Sequence, residues 1–96
     1  MSSDIGMAIQ KMRDIAAQCG KTNFDLSAVE NDIQEEVSGL DKIWSGESKE
    51  AFKQRWSKAQ AKMDEAKRAI DKIRDLLEKA IEDLIKADKK GSSYSQ

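Results

Sequence analysis

The chain has no histidine, no proline and a single cysteine, and aromatic residues fill only 5% of its 96 positions. Without histidine, neither a Ser/His nor a Cys/His nucleophile pair can be assembled, and Cys/His zinc sites are excluded by composition. Cys19 alone cannot close an intrachain disulfide. The opening "MSSDIGMAIQKMRD" lacks the basic start and apolar core of a signal peptide. No run approaches the roughly 18 consecutive apolar residues of a membrane span. Seventeen basic against eighteen acidic residues leave a net charge of -1, without the basic excess of a nucleic-acid-binding domain. A glycine-rich phosphate loop is missing, as are the Glu-x-x-His pairs of di-iron bundles. These absences predict a non-enzymatic protein with no cofactor, no metal and no nucleic-acid partner.

What is present points to long helices. Charged residues make up 36% of the chain, among abundant Ala, Ile and Leu, a mixture suited to amphipathic helices or a coiled coil. In the first half an apolar residue recurs every seven positions: Ile5, Met12, Cys19, Leu26, Ile33 and Leu40. Ala8, Ile15, Val29 and Ile43 flank this row on one side, and Ile9, Ala16 and Val37 on the other. Sustained seven-residue repetition marks a helix that keeps one stripe against a partner helix. The weak stretch "CGKTN" does not shift the phase, so the helix is expected to continue through it. Cys19, on that stripe, reads as a small core filler.

The second half carries Phe52, Ala59, Ala66, Ile73, Ala80 and Ala87 in one row, with Trp56, Met63, Ile70, Leu77 and Leu84 in the next. Leu76, Ile81 and Ile85 widen the apolar face beyond a two-helix seam. The pattern predicts one helical domain over residues 1–96. Helix one spans about 4–43, a turn 44–46, helix two about 47–89, and a frayed tail 91–96 follows Gly91.

Two helices joined by three residues fold back as an antiparallel hairpin. Pairing residues whose numbers total about 92 sets Leu40 by Phe52, Ile33 by Ala59, Leu26 by Ala66, Cys19 by Ile73, Met12 by Ala80 and Ile5 by Ala87. Nearly every layer then joins a large side chain to a small one. Charge agrees with this register. Residues 25–41 hold Asp25, Glu30, Asp32, Glu35, Glu36 and Asp41 and no base. The facing residues 51–67 hold Lys53, Arg55, Lys58, Lys62 and Lys67 against Asp64 and Glu65. Each exposed pair contributes about 0–1 kcal/mol, but together they disfavour a wrong register.

A hairpin alone leaves apolar surface wet, and such surface marks a partner. Ile70, Ile73, Leu76, Leu77, Ile81, Leu84 and Ile85 are the candidate partner face. The fold class is therefore all-α: an antiparallel helix-turn-helix hairpin that dimerises into a four-helix bundle, with itself or with a similar chain. The helix over residues 69–90 mixes acids and bases on its polar face, which counts against membrane binding, where a basic bias is usual.

At the turn, Trp44, Ser45 and Gly46 separate the two halves, and Gly46 supplies the positive φ that reverses the chain. Trp44, Phe52 and Trp56 are positioned to form an aromatic plug at that end. This turn can be structural, a recognition element, or both.

With its central Trp44-Ser45-Gly46, a long helix on each side and the continuation "GESKEAFKQRW", the chain resembles the WXG family of helical-hairpin substrates of type VII secretion. The resemblance spans nearly the whole sequence. It implies export from the bacterial cytoplasm to the exterior or cell surface without a cleaved leader, through a membrane-embedded secretion ATPase, in dimeric form. It also implies a composite signal, with Trp44, Ser45 and Gly46 as the turn part and the C-terminal end of another chain as the rest. Many mycobacterial-type relatives carry a tyrosine followed four residues later by an acid, whereas Tyr94 here is followed by Ser95 and Gln96. That departure favours the Firmicutes-type branch, where homodimers are frequent. Two other roles fit the same pattern: an adaptor binding a helical segment of a larger secreted toxin, and a membrane-active secreted effector.

Overall fold

The computed structural model describes the backbone of residues 2–94 and the side chains of residues 4–89. Helix α1 runs Ser2–Leu40 and helix α2 runs Glu47–Tyr94, packed antiparallel along their length. The result is a rod of 76 × 16 × 12 Å. Its radius of gyration is 21.8 Å, far above the roughly 13 Å of a compact chain of this size. α1 passes through Gly20, Thr22 and Asn23 without a break. The heptad stripe on either side holds the helix together where local propensity is poor.

The C-terminal ends of both helices differ from the approximate bounds expected. Helix one was expected to reach residue 43, but α1 ends at Leu40. Beyond it the chain tightens: Asp41 N–H donates to Ser38 O at 3.2 Å, Lys42 N–H to Gly39 O at 3.4 Å, and Ile43 N–H to Leu40 O at 3.1 Å. These three-residue spacings are a tightened terminal turn, which saturates carbonyls left open by the helix end. Ile43, expected to extend the stripe, is 82% exposed, so no burial holds that last turn in the α form. At the other end α2 continues through Gly91 to Tyr94 where a frayed tail was expected. Glycine permits a helix stop without enforcing one, and no proline follows to block it. Ser95 and Gln96 lie outside the described residues.

The register is the expected one. Cross-helix bonds join Asn23 to Lys67 and Asp71, Gln34 to Trp56 and Gln60, Ser27 and Glu30 to Lys67, and Asp41 to Lys49 and Lys53. Each pair of numbers totals between 90 and 97. Which rows meet, however, differs from the expectation. On α2 the large row, Trp56, Met63, Ile70, Leu77 and Leu84, lies half-buried in the seam. Ala59, Ala66, Ile73 and Ala87 of the other row are exposed. Turning the bulkier row inward removes more apolar area from water, so the alanine row is left at the edge. On α1 the Ile5 row is joined by Ile9, Ala16, Asn23, Glu30 and Val37, and Ile15 and Val29 stay outside.

Two of those seam positions are polar. Asn23 Nδ2 donates to the Lys67 carbonyl at 2.9 Å and to Asp71 Oδ1 at 2.8 Å, leaving its own buried Oδ1 without a partner. Lys67 Nζ donates to Glu30 Oε1 at 2.7 Å and Ser27 Oγ at 3.3 Å. The bond to Glu30 raises the Lys67 pKa above its ordinary 10.5, despite partial desolvation. This interlock therefore contributes stability below pH 10.5 and loses it as pH rises through the raised value. Such a polar layer fixes register at a cost in stability. Asn23→Leu, which removes the orphan oxygen, should raise the melting temperature by the equivalent of about 1 kcal/mol. Thermal circular dichroism checks this, and a lower melting temperature would show that the bond to Asp71 outweighs the unpaired oxygen.

Candidate functional site

No helix among the described residues is long and apolar enough to cross a membrane, and no group of acids and cysteine there is placed to hold a metal ion. Two surface features remain, the turn end and one long side of the hairpin.

At the turn, Trp44 N–H closes on Leu40 O at 2.8 Å, and Gly46 has φ 99°. A left-handed φ at that point disfavours any residue with a Cβ and lets the chain reverse into α2. The Gly46 carbonyl accepts from Glu50 N–H at 3.3 Å, so Gly46 is the N-cap of α2. Glu47 and Glu50 in the first turn complement the helix dipole. The half-buried Trp44 ring meets Phe52 with centroids 5.5 Å apart at 46°, and its Nε1 donates to Ser48 Oγ at 3.0 Å. Trp44 thus ties the linker to both the first and second turns of α2. Trp56, expected in the same plug, is instead held by Gln34, to which its Nε1 donates at 2.6 Å. The only ring pair among the described residues is Trp44–Phe52.

Asp41 clamps this end across the seam, 3.1 Å from Lys49 and 3.0 Å from Lys53. The hydrogen bonds from Lys53 and then Lys49 hold its carboxyl below the ordinary 3.8. The clamp's contribution is present above pH 3.8 and disappears as pH falls through the lowered value. Asp41→Asn should therefore match wild type in strong acid and melt earlier only above that window. Melting curves against pH check this, with a small difference expected for so exposed a group.

The two long sides of the seam differ in character. On one, Ser27, Gln34 and Asp41 of α1 are bound to Lys67, Gln60 and Lys53 of α2 by the contacts above, and Arg13 and Arg74 line a groove farther along. On the other, Ile15 and Val29 of α1 lie opposite Ala59, Ala66, Ile73 and Leu76 of α2. Val29 is 53% exposed, Ile73 48% and Leu76 64%. Of the seven residues expected on the partner face, only Ile73 and Leu76 are exposed. Ile81 is buried, and Ile70, Leu77, Leu84 and Ile85 are half-buried within the chain. Ile15 and Val29 complete the open face. Heptad counting placed them on a flank of the first-helix stripe without showing which flank the seam leaves uncovered.

The core is correspondingly thin: among the described residues, Ala16 and Ile81 are the buried apolar ones. The accessible surface is 7488 Å², whereas a compact monomer of this mass exposes about 5,500 Å². The surplus, about 2,000 Å², is of the order a chain covers in a substantial protein interface.

An elongated all-α hairpin with a glycine-capped Trp-x-Gly turn and one uncovered apolar side defines a helical-hairpin module. The WXG100 family, proteins of 100 residues with WXG, matches residues 4–89, and the chain belongs to it. Members are small secreted helical proteins, substrates of type VII secretion systems that commonly form dimers. No curated protein and no solved structure matches the chain significantly.

Proposed function

We propose that this chain is a non-enzymatic type VII substrate, exported as a folded homodimer, and that Trp44, Ser45 and Gly46 form the turn part of its signal. The observation that carries the pairing is the open apolar side flanking a core of two buried side chains. Its sequence also suits a second copy, because the face reads alike in both directions. About a two-fold axis at Thr22 of α1 and Ala69 of α2, Ile15 meets Val29 and Ala66 meets Ile73. Lys11 meets Asp32, and Arg55 meets Asp83. The two charged pairs are opposite in sign, Ala66–Ile73 is a small–large pair, and the two centres, 22 and 69, agree with the register inside the hairpin. Isologous pairing of this kind closes a four-helix bundle.

Antiparallel pairing brings the Trp-Ser-Gly turn of one chain beside the last turns of α2 of its partner. That is the arrangement a signal composed from two chains requires. A host expressing a type VII machine should secrete the wild-type chain and retain Trp44→Ala. Light scattering should give twice the 10.8 kDa chain mass. A stable single-chain mass would overturn the homodimer and favour an adaptor for a larger toxin. A membrane-active role has less support, because the seam takes up Ile70, Leu77, Ile81 and Leu84 and leaves Ile73 and Leu76 outward.

A further inference from the structure

Phe24 is 75% exposed on the outer side of α1, away from the apolar face, so pairing through that face leaves it uncovered. An aromatic ring in water is costly, and Phe24 has no ring partner within the chain among the described residues. One helical turn before it, on the same stripe, lies an open groove of about 500 Å³ between the two helices. Ala16, Ala17, Gly20 and Ile81 form its floor, and Arg13 and Arg74 stand at its sides, with Glu78 also on the rim.

Of the three α1 glycines whose added Cβ would meet nothing, Gly6, Gly20 and Gly39, Gly20 is the one that lines this groove. A glycine inside a helix costs about 1 kcal/mol relative to alanine. The hairpin does not require it: a Cβ at Gly20 would meet nothing within 4 Å, and its φ is not left-handed. Close approach of a backbone from outside would account for it, as small residues permit in helix crossings.

We propose that the occupant of this groove is Phe24 of a second copy. Crossing α1 over an antiparallel α1 near Gly20 and Lys21 brings Phe24 of each chain opposite Ala17 of the other. One two-fold operation then seats both rings at once. The apolar floor accepts the ring, and the Arg13 and Arg74 guanidinium groups flank it, a cation–π setting. Arg13 makes no ion pair among the described residues, and Arg74 is 3.5 Å from Asp71 on its own helix. The contact is small, so it joins preformed units weakly and reversibly. It lies on the other side of the rod from the homodimer face, which allows dimers to associate further.

Sedimentation velocity of the full chain, followed up to millimolar concentration, tests this. Wild type should show a concentration-dependent species of twice the base mass. Phe24→Ala and Gly20→Gln should each weaken that step at least tenfold while leaving helicity and the base unit unchanged. Phe24→Tyr should retain it. Absence of any larger species, or growth that survives either Phe24→Ala or Gly20→Gln, would overturn the proposal. The base mass, one chain or two, keeps the two contacts distinguishable. If the apolar-face dimer is absent, the Phe24 step appears as doubling of the single chain.

Discussion

Ile73→Glu should split the dimer and, with it, most of the helical structure. Ile73 is exposed in the single chain, so within one hairpin the substitution costs little. Across the two-fold axis it faces Ala66, and each dimer would bury two unpaired carboxylates. Burying one such charge without a partner costs several kcal/mol, and symmetry counts it twice. A rise in the dimer dissociation constant of at least about a thousandfold, or ~4 kcal/mol, is the expected result. The separated hairpin would then rely on a core whose buried apolar residues are Ala16 and Ile81. A core that small does not offset the conformational entropy of some ninety ordered residues. Loss of helical signal should therefore accompany loss of mass at low protein concentration. Arg68→Glu, at an exposed position on the side of α2 turned away from Ile73, is the control and should do neither. Equilibrium sedimentation with circular dichroism reads both quantities, and an unchanged dimer mass for Ile73→Glu would remove this face as the interface.

The hairpin was legible because a seven-residue repeat constrains more than local propensity does. It carried α1 across Gly20, Thr22 and Asn23, and charge opposition between residues 25–41 and 51–67 fixed the register. The contact rows were less legible. Two adjacent apolar rows on α2 satisfy the same periodicity, and only the competition for buried area decides that Trp56, Met63 and Ile70 turn inward. Asn23 and Glu30 were missed because a search for apolar repeats skips polar residues at seam positions. Both occupy the Ile9–Ala16–Val37 row at seven-residue spacing, which was the available signal. Trp56 was assigned to the aromatic plug by spacing alone, yet a half-buried indole N–H seeks an acceptor, and Gln34 supplies one. The ends of the helices were the least determined, since Gly39 and Gly91 allow a helix to stop but do not say where.

Trp44→Ala should abolish export, and a companion series can separate recognition from folding at the turn. Trp44 contributes one tilted ring contact to Phe52 and one hydrogen bond to Ser48. Together these are worth about 1–2 kcal/mol, too little to dismantle a dimer held by two long open faces. Gly46→Ala acts differently. Its Cβ would meet nothing within 4 Å, so the cost is the left-handed φ of 99°, about 1–2 kcal/mol. If the turn mattered only for stability, the two variants should reduce secretion to a similar degree, in proportion to their loss of melting temperature. If the indole itself is read, Trp44→Phe should keep the ring contact and the dimer, yet lose secretion nearly as far as Trp44→Ala. Gly46→Ala should then lose export out of proportion to its loss of melting temperature, because the altered turn displaces the indole while the dimer remains intact. The comparison requires secreted and cell-retained protein measured beside dimer mass for each variant. Wild-type secretion of Trp44→Ala would show that the machine does not read this side chain. A Trp44→Phe chain secreted normally beside a blocked Trp44→Ala would place the requirement in the aromatic packing at the end of the rod.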